Sequence, residues 1–220
     1  MINSISLSGN WKLHIETECG GIPAAYEDSI DLPNTLSNAK KAPYTDRKAD
    51  GFLTDAYPYE GYAWFSSTIE VNDDYSDKNV FLFLERTRIS TVYVDGCKVG
   101  SFNSLCSAHS YNIGSYLTKG RHELVICVSN VNYPTKGGHM TSPDTQTNWL
   151  GITGKLELQI FPKAYISDVR ITAGSDGIVK VSGCINGAEN GSVKASVSAP
   201  DGSVVYSGNI ACCGEKFSGE

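Results

Sequence analysis

Polar and apolar residues alternate along most of this chain with the period of two that marks half-buried β-strands. Residues 62–71 (YAWFSSTIEV) open aromatic and then alternate, whereas residues 80–84 (VFLFL) are continuously apolar, as expected of a strand covered on both faces. Residues 90–94 run into Asp95-Gly96, a pair that tolerates positive φ and so predicts a tight hairpin, with residues 97–100 returning. Residues 122–128 and 155–161 predict two further strands. No stretch carries an apolar stripe at helical spacing with caps. Many short strands separated by turn residues predict an all-β chain built as a sandwich or jelly roll.

Two stretches break the rhythm, 34–62 and 130–152, both containing Pro and Gly. Connections that long in a compact domain usually carry function. A boundary falls near Pro162, giving a first domain over 1–161 and a second over 162–220. In the second, residues 164–172, 178–186, 193–199 and 204–207 predict four strands, divided by turns such as Pro200-Asp201-Gly202. An immunoglobulin-like sandwich needs about seven strands over about 100 residues. The second domain is therefore expected to be an incomplete one, with an exposed edge that leaves it weakly stable or dependent on a partner.

The net charge of −6 excludes an electrostatic nucleic-acid binder, which needs clustered Lys and Arg. The two small basic groups, Lys40-Lys41 and Arg86 with Arg88, are expected on solvated faces. No apolar run approaches the roughly 20 residues of a membrane span, so no membrane partner is expected. The amino terminus has neither a basic nor an apolar signal region. Seven cysteines without a C-x-x-C spacing fit neither a disulfide framework nor a zinc site and favour a reducing, cytoplasmic compartment. His14 and His122 lie on predicted strands without convergent partners, so no metal is expected. Trp11 and Trp64 are read as core residues.

The order of these motifs resembles the start of family 2 glycoside hydrolases, the group of β-galactosidases, β-glucuronidases and β-mannosidases. The resemblance is carried by Leu7-Ser8-Gly9-Asn10-Trp11, by Asp31-Leu32-Pro33-Asn34-Thr35 and by Tyr59-Glu60-Gly61-Tyr62-Ala63-Trp64-Phe65. Leu84-Glu85-Arg86-Thr87-Arg88 and Val92-Tyr93-Val94-Asp95-Gly96 follow in family order, then Gly138-His139-Met140 and Asn148-Trp149 before Gly151-Ile152-Thr153-Gly154. It covers essentially the whole chain and looks most like a β-galactosidase branch. It implies a jelly-roll, galactose-binding-domain-like β-sandwich followed by a partial immunoglobulin-like β-sandwich.

The resemblance further implies a retaining glycosidase as the parent protein, whose two catalytic carboxyl groups stand about 5–5.5 Å apart. In this family both belong to a (β/α)₈ barrel, which takes about 250 residues with alternating helices. This chain has neither, so it is expected to have no catalytic residue and no hydrolase activity alone. Glu60, Glu70, Glu85, Glu123 and Glu157 are scattered and read as solvated or paired carboxylates.

Sugar recognition combines an aromatic face with amide and carboxylate groups that bond hydroxyls. His139, Asp144, Gln146, Asn148 and Trp149 supply those types within the second long connection. In some family members the corresponding loop reaches the active-site mouth, so these five are the candidate substrate-binding residues. Asp144 is the candidate carboxylate, against the plainer reading that it caps its own turn. Trp149 equally suits packing of the sandwich. Tyr57 to Glu60 are read as a domain interface. The expected partners are a β-linked glycoside, met through a full-length enzyme, and a carboxy-terminal catalytic barrel; a homo-oligomer is compatible, and no cofactor is expected. Two other readings stay open: a free-standing carbohydrate-binding module with coplanar exposed aromatics, and a protein-interaction sandwich with a large apolar patch.

Overall fold

The computed structural model describes residues 3–46, 55–75, 77–133, 141, 148–188 and 191–220. Among them every regular element is a strand apart from one 3₁₀ turn at Gly114–Tyr116. The strands are β1 (Asn3–Ser6), β2 (Gly9–Glu16), β3 (Asp28–Leu32), β4 (Asn34–Thr35), β5 (Tyr62–Val71), β6 (Lys78–Thr87), β7 (Ile89–Val94), β8 (Cys97–Phe102), β9 (His109–Asn112), β10 (Gly120–Ser129) and β11 (Gly151–Pro162). They are followed by β12 (Tyr165–Ala173), β13 (Val179–Asn186), β14 (Ser192–Ser198), β15 (Val204–Cys213) and β16 (Lys216–Gly219). Chain contacts divide these into two units, Met1–Ile160 and Phe161–Glu220.

The first unit is a sandwich of two antiparallel sheets. One runs β1-β11-β6-β9 with β4 also on β11; the other runs β3-β2-β5-β10-β7-β8. Alternation explains the core: Val80, Leu82 and Leu84 of β6 and Leu156 and Leu158 of β11 face Trp11, Phe65, Val92 and Leu124 of the other sheet. Residues 80–84 are not covered equally on both faces as the apolar run suggests. Phe81 and Phe83 are only partly buried, on the outer face. Asp95 and Gly96 turn the β7–β8 hairpin with φ of 49° and 77°, the positive values that the pair was expected to supply. Trp64 is fully buried, but against Val125 and Cys127 in a small cluster of its own, its indole donating to Glu16 Oε1 at 2.7 Å.

Between the sheets lies a buried polar cluster. The Ser104 carbonyl can only accept, so its 2.8 Å contact assigns the His109 ring proton to Nε2 and leaves Nδ1 as acceptor for the Ser90 hydroxyl at 2.6 Å. Tyr111 donates to the Ser90 carbonyl at 2.9 Å, and burial pushes its phenol up to about 12. Ser90 is on β7 and His109 and Tyr111 are on β9, so this cluster bonds one sheet to the other.

Nor is His122 without partners, as its strand position suggests. Its Nδ1 meets Asp95 Oδ2 at 2.6 Å and its Nε2 meets the Thr118 carbonyl at 2.7 Å. The hydrogen bond from the His122 ring to Asp95 raises the imidazole's pKa and lowers that of the carboxyl, whereas burial lowers the pKa of His109. The two histidines therefore respond to pH with opposite sign. The contribution of His122 is full below about pH 6.5 and is lost as pH rises through its raised folded value. That of Asp95 is full above about pH 3.9 and is lost as pH falls through its lowered one. His109, held neutral, costs stability as pH falls below about 6.5. Asp95→Asn keeps an acceptor for the Glu123 amide, now at 2.8 Å from Asp95 Oδ1, but removes the charge. Urea midpoints should separate wild type from Asp95→Asn more at pH 5.5 than at pH 8.5; equal gaps would mean that His122 is uncharged in the fold.

The second unit is one antiparallel sheet in the order β12-β13-β16-β15-β14. Four of its strands follow the expected rhythm, and β16 is additional. Register sets Ile171 opposite Val181, Val193 opposite Ile210 and Val197 opposite Tyr206, which gathers apolar side chains on one face. Of the described hydrophobic residues in this unit only Ile185 and Phe217 are buried; Ile166, Ile171, Val197 and Tyr206 are exposed.

Candidate functional site

Both long connections begin or end at the same end of the sandwich. There β5 starts, β6 passes into β7, β10 ends and β11 starts. The residue that joins them is Asn130, 2% exposed, at the end of β10. Its Oδ1 accepts from the Gly61 amide at 3.0 Å, and its Nδ2 donates to the carbonyls of Tyr59 at 2.7 Å and Asn148 at 2.9 Å. One amide side chain thus fixes the exit of the first connection and the exit of the second. Its only sequence signal is an Asn closing an apolar strand, VICVSN, and its role is not legible there.

Of the five candidate sugar-binding residues, His139, Asp144 and Gln146 lie outside the described residues. Asn148 and Trp149 are both partly buried at this end. Asn148 Nδ2 donates to Glu60 Oε1 at 3.2 Å, while its buried Oδ1 has no hydrogen-bond partner among the described residues. Glu60 therefore bonds within this chain, while Tyr57 and Tyr59 pack against its core.

Arg88 overturns the expectation of a solvated basic group: it is 1% exposed. Its Nε donates to the Trp149 carbonyl at 3.0 Å, and its guanidinium lies 4.7 Å from the centre of the Trp149 ring. Burial lowers its pKa, and the neighbouring Tyr133 phenol partly opposes this. The charge remains, since a guanidinium keeps its proton in proteins. Arg86, two positions earlier, is exposed as expected. Sequence alternation cannot separate the two, because Arg88 sits in the β6–β7 turn, where direction is set by tertiary contacts.

Gly151 completes the frame. It pairs with Thr35 of β4, accepts the Thr87 hydroxyl at 2.9 Å, and has φ of +148°. Beside it a cleft of about 310 Å³ is lined by residues 85–88, by the turn at 105–107 and by Trp149. Among the described residues no three His, Cys, Asp or Glu side chains group as a metal site.

No protein-family profile matches the chain. A curated Formosa agariphila protein, provisionally named a β-glucuronidase, is 28% identical over 175 residues, covering 76% of this chain and 19% of that protein. The solved Bifidobacterium dentium β-glucuronidase, complexed with coumarin-3-O-glucuronide, superimposes with a TM-score of 0.75 at 16% identity, over 99% of this chain and 41% of its own. Bacteroides uniformis β-glucuronidase gives 0.72 at 19% identity, over 99% and 27%. The chain carries the amino-terminal fold of the family 2 glycoside hydrolases. It spans a fifth of the curated relative's length and less than half of either solved chain. The all-β architecture of antiparallel sheets matches the β-sandwich of these neighbours.

Proposed function

We propose that this chain is the non-catalytic amino-terminal part of a longer glycosidase, and that its loop end forms one wall of the sugar site of a catalytic barrel. The observation that carries this is the Asn130 junction. It holds the exits of both long connections in one frame and fixes the backbone from which Asn148 and Trp149 project. The unpartnered Asn148 Oδ1 supports the reading, because a buried acceptor without a donor is one that a sugar hydroxyl can complete. Asp144, with His139 and Gln146, belongs to the connection that Trp149 closes and would supply the carboxylate. The open apolar face of the second unit suits a second sheet of an immunoglobulin-like sandwich, with the domains dividing at 1–161 and 162–220.

The test is steady-state kinetics on the full-length enzyme with aryl β-glucuronides and β-galactosides. Asn148→Ala and Asp144→Ala should each lower kcat/KM by about tenfold or more, the loss of one hydrogen bond to a charged or strained sugar. The 220-residue chain alone should hydrolyse neither substrate. Unchanged kcat/KM in both variants would remove this loop from the sugar site. No two described aromatics form an exposed coplanar pair; Trp64 and Tyr93 approach to 6.0 Å, but Trp64 is fully buried. The free-standing binding module therefore gains no support from the described residues.

A further inference from the structure

The cleft beside Trp149 lies wholly within the first unit and differs in kind from a gap left by loose loops, because three of its walls are fixed. Trp149 is held through its backbone and ring by Arg88. Glu85 is anchored by accepting the Lys155 amide at 2.8 Å. The opposite wall is knotted by Ser104, whose hydroxyl oxygen accepts from the amides of Cys106 and Ser107 at 3.3 and 3.1 Å and from the Ser107 hydroxyl at 2.7 Å. Preorganised walls of this kind lose little freedom when a ligand enters. The volume, about 310 Å³, is at the small end for ligand pockets and suits a single pyranose.

The lining also has a definite chemistry. An indole offers an apolar face to the C–H side of a sugar ring. The Glu85 carboxylate and the Ser107 oxygen accept from hydroxyls. Arg86 is exposed, lines the cleft and makes no ion pair among the described residues. A guanidinium free to make a fork of two hydrogen bonds is matched to a carboxylate. We propose that this cleft is a binding site for one uronic acid unit, with the ring against Trp149 and the carboxylate on Arg86. The site shares Trp149 with the function proposed above but needs no residue of a catalytic barrel, so its test on this chain alone can fail separately from the kinetics of the longer enzyme.

The experiment uses the 220-residue chain and titrates D-glucuronate and D-galacturonate by calorimetry and tryptophan fluorescence, with glucose, galactose and acetate as controls. Site-specificity is read by iodoacetamide labelling and peptide mapping. Cys106 lines the cleft, and exposed Cys19, Cys97 and Cys213 serve as internal references. Saturable binding of a uronate is expected, with slower labelling of Cys106 alone. Arg86→Gln should weaken it about tenfold, the loss of a charge-assisted pair. Cys106→Phe, which fills the cleft from an exposed position, should abolish it while leaving the thermal midpoint in place. The proposal is overturned by failure of either uronate to saturate, by equal binding of the neutral hexoses or of acetate, or by binding that leaves Cys106 labelling unchanged.

Discussion

Replacing Asn130 with Ala should destabilise the first unit by about 3 kcal/mol or more. The side chain is buried and satisfies three backbone groups, the Gly61 amide and the Tyr59 and Asn148 carbonyls. Alanine leaves all three without their partner, and each buried group so abandoned costs about 1–3 kcal/mol. Asn130→Asp separates the two halves of the effect. It keeps an acceptor for Gly61 but sets a carboxylate against two carbonyl oxygens, so it too should lower the urea midpoint strongly. A change of less than about 0.5 kcal/mol in Asn130→Ala would put it among ordinary surface substitutions and remove Asn130 from the frame of the site.

The second large effect is expected at Gly151. A Cβ there would stand 2.3 Å from the Asn34 carbonyl oxygen and 2.7 Å from Thr35 Cα, both main-chain atoms that cannot rotate away. The backbone also has φ of +148°, which side-chain-bearing residues rarely adopt. Relief requires β4 to move off β11, which breaks the Gly151–Thr35 pairing and shifts Trp149 two residues earlier. Gly151→Ala should therefore cost on the order of 3 kcal/mol, from strain and overpacking together. Gly9→Ala is the matched control: its φ is +142°, but nothing lies within 4 Å of its Cβ position. That variant reports backbone strain alone, about 1 kcal/mol. Equal midpoints for the two variants would show that the approach of β4 is not needed for stability.

These two positions also show where sequence reading ends. Asn130 follows a strand that the pattern located to within two residues, whereas Gly151 opens β11 four residues before the 155–161 read from the sequence; neither is distinguished there from other Asn and Gly residues. Arg88 went the same way: Arg86 at the end of β6 and Arg88 two positions on in the turn read alike, and only packing buries one and exposes the other. His122 was legible as a strand residue but not as half of an ion pair, because Asp95 is 27 positions away and reaches it across the β7–β10 register.

The sequence by itself determined the all-β class, most strands, the Asp95-Gly96 hairpin, the two long connections and the family order that carries the glycoside hydrolase resemblance. Those depend on local periodicity and turn chemistry, which each segment displays without reference to the rest. Only the tertiary structure decided which end of the sandwich the connections share, that Asn130 and Arg88 hold them, that Asn148 Oδ1 is left without a donor among the described residues, and that the second unit presents an open apolar face. These are relations between residues far apart in sequence, 71 positions in the bond from Asn130 to Tyr59 and 88 in that from Asn148 to Glu60. Hydrogen-bond partners and burial at that separation are set by how sheets stack, and a linear pattern holds no record of it.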